Sequence, residues 1–191
     1  MAVGGGTFGP GSDNRFFGFQ YNMDYNITDI NVRVSLTHPV GSDIIGKLYQ
    51  KESQSGNNIV DPVTLFHIAD NINSTTFEKV TFDADSANEI PATPTTNLVV
   101  PEGFYKPTDD DLDTTFLDRS TKGYWALEMI DENAEDPAEA AGRLTEFCII
   151  ITTNTPTDVQ GEADRRRQLK DEALKVRMEA AIEKQNRGRE F

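Results

Sequence analysis

The clearest periodic signal in the chain is a two-residue alternation of apolar and polar positions. In "NVRVSLT", Val32, Val34 and Leu36 alternate with Asn31, Arg33, Ser35 and Thr37, as in a strand with one face in a core and the other in water. The turn "HPVGS" leads into "DIIGKLYQ". In "DPVTLFHI", Val63, Leu65 and His67 alternate with Thr64, Phe66 and Ile68, which predicts an inward His67 whose ring nitrogens are satisfied. "TFEKVTF" follows, and "GYWALEMI" places Trp125, Leu127 and Met129 on one face. "LTEFCIIITT" is apolar at consecutive positions, the pattern of a central strand covered on both sides. With Pro, Gly, Asn and Asp between the runs, residues 21–154 predict an all-β domain, a sandwich or a barrel.

The two ends follow other rules. Residues 1–20 are glycine-rich and interspersed with Phe8, Phe16, Phe17 and Phe19, which predicts an extended arm whose rings dock on a neighbouring subunit. In the last segment, 155–191, residues 158–187 lack proline and are rich in Ala, Glu, Lys, Arg and Gln, so they predict a helix. Thr157 with Gln160 fits a capping box, and Gly188 fits the position just past a helix end. Leu169, Ala173, Val176 and Ala180 form one thin stripe, with Leu174, Met178, Ala181 and Ile182 roughly opposite. A helix lying on its own sandwich needs one broad stripe, whereas two thin ones fit two neighbours or a small bundle. The competing account is a solvated helix held by pairs such as Glu162–Arg166, each worth about 0.2–0.5 kcal/mol.

Charge sharpens this division. The chain of 191 residues has a net charge of −14. Residues 1–155 hold 24 acidic and 9 basic side chains, and residues 156–191 hold 8 and 9. A body so negative repels nucleic acid, whose binding depends on neutralising phosphates. No apolar run approaches the roughly eighteen residues that cross a bilayer, and the first residues lack the basic-then-apolar pattern of a secretory signal. One cysteine and two histidines exclude an intrachain disulfide and argue against a cysteine- or histidine-rich metal centre. Neither a GxSxG elbow nor a GxxxxGK[ST] phosphate loop occurs.

Several stretches in order carry a family pattern. "DINVRVSLTHPVGSDIIGKL" supplies Thr37, His38, Gly41 and Asp43; "PVTLFHIAD" and "KVTFDADSANEI" follow; "FYKPTDDDLDTTF" supplies Tyr105, Pro107, Leu112 and Phe116; "GYWALEMID" and "GRLTEFCIII" supply Gly123, Trp125, Leu127, Asp131, Gly142, Leu144 and Phe147. Over residues 24–153 the chain resembles the P domain of proprotein convertases, a jelly-roll β-sandwich found behind a subtilisin-like catalytic domain. The resemblance implies a jelly-roll-like antiparallel sandwich with a non-catalytic role in stabilisation or attachment, and His38 as a hydrogen-bonding turn residue. Phe147 stands where the family usually has a second tryptophan, and "ENAEDPAEAA" is longer and more acidic than the usual turn. These 191 residues contain no subtilisin-like stretch, so convertase activity is not implied. Trp125 reads as a core anchor and Cys148 as an inert buried thiol.

One cofactor question arises. Asp109, Asp110, Asp111 and Asp113 suggest calcium, which takes six to eight oxygen ligands. An EF-hand is excluded, because Thr114 and Ser120 stand where its glycine and its bidentate glutamate belong. A discontinuous site can draw on Asp43, Asp83, Asp85 or Asp131; no other cofactor is suggested. The function expected is non-enzymatic: a structural protein of a large assembly, such as a phage virion accessory component on capsid, neck or tail. It would be a homo-oligomer or partner of other subunits, bind neither nucleic acid nor membrane, and be assembled in the host cytoplasm. The alternative is an extracellular adhesion or carbohydrate-binding sandwich, with calcium as an optional aid and Phe104, Tyr105 and Tyr124 as candidate contact rings. The interface residues expected are Phe8, Phe16, Phe17 and Phe19 at one end and Leu169, Leu174, Val176, Met178 and Ile182 at the other.

Overall fold

The computed structural model describes residues 2–8, 14–39, 44–68, 74–91, 97–109, 112–131 and 141–154. In chain order the elements are β1 (Ala2–Phe8), β2 (Arg15–Tyr21), β3 (Ile27–His38), β4 (Ile44–Lys51), β5 (Val63–Ile68), β6 (Ser74–Phe82), β7 (Asn97–Val100) and β8 (Gly103–Tyr105). A short helix, α1 (Leu112–Phe116), precedes β9 (Gly123–Asp131) and β10 (Gly142–Thr153). One sheet has the order β1-β10-β3-β6-β7, with β8 also along β6; the other has the order β2-β9-β4-β5. Pairing is antiparallel except where β7 and β8 run parallel to β6. Early and late strands thus alternate within each sheet, which is the connectivity of a jelly roll.

The alternation read from the sequence sets the core. Val32, Val34 and Leu36 point inward from β3, and Trp125, Leu127 and Met129 from β9; all six are buried. Phe66, Phe77 and Phe82 form an aromatic group between the sheets, with ring centroids 5.0–6.4 Å apart. Trp125 lies against Phe116 of α1, centroids 5.2 Å apart. Its indole N–H donates to the Thr121 carbonyl at 2.9 Å, so the largest side chain in the core leaves no polar atom unsatisfied. Gly46 faces the same core: a Cβ there would lie 2.3 Å from the Phe66 ring, so only glycine leaves that ring its place.

Two expectations are corrected. Residues 1–20 were expected as an arm reaching a neighbour. Instead β1 pairs with β10 and β2 with β9, one edge strand for each sheet, and Met1–Thr153 is one compact unit. What hid β1 is the glycine run Gly4–Gly6, which lacks the side chains that make a strand legible. His67 is exposed rather than inward. The register between β4 and β5 shifts at Gly46/Lys47, which pair with Phe66 and Thr64. This bulge turns Phe66 and Ile68 to the core and His67 to solvent. The predicted helix 158–187, with Leu169, Leu174, Val176, Met178 and Ile182, lies outside the described residues, as does the acidic stretch 132–140.

Candidate functional site

The four phenylalanines expected at an interface part company in the fold. Phe8 is fully buried and stacks on His38, centroids 5.5 Å apart. Phe17 and Phe19 pack against the core. Phe16 alone faces out, 47% exposed, from β2. The period of two decides this, because Phe17 and Phe19 pair with the inward Leu127 and Trp125, whereas Phe16 pairs with Glu128.

The surface around Phe16 is built across three strands. Phe16, Glu128 and Lys47 form one row, and Gly18, Ala126 and Tyr49 the next. Small side chains in the second row let rings lie flat: a Cβ on Gly18 would meet the Tyr124 ring at 2.7 Å. The Tyr49 ring meets Phe16 edge-on at 5.6 Å, and Lys51 Nζ stands 5.5 Å from the Phe16 ring centroid, within cation–π reach. Below them Glu128, on the outer side of its sheet, is only 4% exposed. The Tyr49 hydroxyl donates to its Oε2 at 2.6 Å, and Asn14 Nδ2 donates to its Oε1 at 2.7 Å. Burial, followed by the hydrogen bond to Glu128 and the charge of Glu128, holds the Tyr49 phenol well above its ordinary pKa. The arrangement clamps β2, β9 and β4 together and presents a rigid aromatic and cationic surface.

The calcium candidates are not gathered. Asp83 and Asp85 follow β6, whose Phe82 pairs with Val32. Asp131 ends β9 and meets His38 at the opposite end of β3. At roughly 3.3 Å per residue, those places are about 20 Å apart. Asp43 lies outside the described residues. Around Asp83 and Asp85 the fold adds Asp29 and Asp113. Burial first, and then the charges of Asp29, Asp85 and Asp83, raise the Asp113 pKa, against an opposing hydrogen bond from the Ile30 backbone. Among the described residues, no group of three or more His, Cys, Asp or Glu is arranged to hold a metal ion. His38 is buried at the end of β3, with Nε2 3.2 Å from Asp131 Oδ2. Cys148, the chain's one cysteine, is a buried thiol whose S–H lies 3.9 Å from the Ile149 carbonyl.

No family model matches the chain. No curated protein matches it either. Among solved structures, a serine protease of Aeromonas sobria is similar at 12% identity and a TM-score of 0.36, over 81% of this chain and 27% of that one. The same protease with its chaperone gives 12% identity and a TM-score of 0.37 over the same shares. The chain spans about a quarter of the length of these structures, and likenesses of that degree fix neither a fold nor an activity.

A second surface feature escaped sequence reasoning. A hollow of about 250 Å³ opens between the sheets, lined by Phe19, Tyr21, Tyr25, Thr121, Ile149, Ile151 and Thr153. Its wall is firmly tied: Thr121 Oγ1 donates to the Met23 carbonyl at 2.8 Å, the Thr121 N–H donates to the Tyr25 carbonyl at 2.8 Å, and the Tyr25 N–H donates to Thr121 Oγ1 at 3.1 Å. The other candidate rings lie elsewhere. Phe104 is 56% exposed on β8, and the half-buried Tyr105 donates its hydroxyl to the Pro101 carbonyl at 3.2 Å.

Proposed function

We propose that this chain is a non-enzymatic structural subunit of a large protein assembly, a P-domain-like sandwich that attaches through the surface around Phe16. A phage particle is the setting suggested by the small acidic body and its extension. The observation that carries the reading is the exposure of Phe16 on a floor locked by the Asn14–Glu128–Tyr49 hydrogen bonds. An aromatic ring held in one geometry loses little entropy on contact, which is why such rings dominate protein interfaces. The attachment point therefore moves from a flexible arm to a sheet face.

Mass photometry and light scattering of the full chain test it. Wild type is expected to self-associate at micromolar concentration, and Phe16→Glu to be monomeric with an unchanged circular dichroism spectrum. A wild type that stays monomeric alone and with subunits from the same source would overturn the proposal. A carbohydrate-binding reading draws on the same surface, because the rings of Phe16, Tyr49 and Tyr124 share it. Specific glycan-array binding that is lost in Phe16→Glu would favour that alternative.

A further inference from the structure

β4 carries Lys47, Tyr49 and Lys51 at alternate positions on the outer face of its sheet, the face that also holds Phe16. At about 3.3 Å per residue the two lysines stand roughly 13 Å apart along the strand, with Tyr49 midway. Lys51 Nζ lies over the Phe16 ring. Among the described residues, neither lysine forms an ion pair. Glu128 is the one carboxylate among the outward residues of these rows, which run across β2, β9 and β4. It is only 4% exposed, and its two oxygens already accept from Tyr49 and Asn14. Residues 1–155 hold 24 acidic and 9 basic side chains, yet this face turns two ammonium groups and a set of aromatic rings towards a partner.

We propose, on the reading that Phe16 marks the attachment surface, that this face receives an extended acidic segment of a different subunit. Its carboxylates lie four positions apart, with an apolar side chain midway. An extended chain running along β4 has the same repeat as β4 itself. Its first and fifth side chains therefore reach Lys47 and Lys51, where charge-assisted hydrogen bonds form, and its third lies on the rings of Tyr49 and Phe16. A second copy of this chain does not supply such a partner, because two of these faces set against each other bring lysine to lysine. Screening keeps the recognition local. At about 0.15 M salt, exposed charges more than about 8 Å apart are largely screened, so the lysines outweigh the net charge of the body.

The probes are three labelled peptides: one with glutamates four positions apart and leucine midway, one with glutamine for both glutamates, and one with the two glutamates adjacent. Fluorescence anisotropy with the full chain at about 0.15 M salt should rank the first about tenfold above the second. Each exposed ion pair is worth about two- to fivefold in affinity, and two are made. The first should also outrank the third. The net charge of −14 alone predicts the reverse order of the first two. Lys47→Gln combined with Lys51→Gln should erase the preference and leave self-association unchanged, whereas Phe16→Glu should lose both. Equal binding of the first two peptides, no binding, or a preference that survives in the lysine variant overturns the inference, even where self-association through Phe16 is found. Lysine-dependent binding by a chain that stays monomeric supports it. If polygalacturonate binds through the same lysines and no peptide does, the occupant is an acidic sugar and the inference falls.

Discussion

Glu128 occupies a position that a two-residue alternation assigns to solvent, yet it is almost fully buried beneath Phe16, Tyr49 and Asn14. Tyr49→Phe would leave its Oε2 without that donor inside a covered site. We expect a loss of about 1–3 kcal/mol in urea unfolding, with the Phe16 surface loosened. Asp113 illustrates the opposite case. Its carboxyl titrates higher in the folded chain than in the unfolded one, so the native state binds the proton more tightly. Its contribution is therefore most favourable at low pH and is lost as pH rises from the ordinary carboxylate pKa to the raised one. Asp113→Asn should raise Tm at neutral pH, with the gain vanishing below about pH 3; thermal melts across pH check this. At this scale the sequence was informative about Trp125 and Cys148, whose settings follow from strand alternation. It was silent about Glu128, because burial by side chains from two other strands and from Asn14 ahead of β2 leaves no local trace.

At the level of elements, β3, β9 and the inward half of β10 were legible, since each alternates or is uniformly apolar. β1 and β2 were not: glycine removes the side-chain pattern from one, and the phenylalanines of the other face both ways. α1 is too short for periodicity, and its Leu112 and Phe116 stand out only once they meet the core. The consequence is testable. Deleting residues 1–21 would remove an edge from each sheet, strip Phe8 from His38, and uncover β9 and β10. We expect the truncated chain to be insoluble or to lack a cooperative melt, where removal of a detachable arm would leave the melt unchanged.

For the molecule as a whole, charge opposes what the Phe16 surface favours. Copies bearing −14 each repel over about 8–10 Å at moderate ionic strength. Self-association should therefore strengthen as salt rises from about 0.05 to 0.5 M, and light scattering at both concentrations checks it. The metal question was only partly readable in the sequence. Asp83, Asp85 and Asp131, candidates for one site, are placed by the fold at opposite ends of β3, and only the sheet register reveals it.

The pairing of β1 with β10 and of β2 with β9 has a further consequence for synthesis. Both sheets wait for a partner translated more than a hundred residues later, so the β2 sheet cannot close before Asp131, nor the β1 sheet before Thr153, has left the ribosome. Nascent chains shorter than that carry unpaired edges and exposed apolar faces. The protein's birth is thus the period in which it most needs chaperone protection.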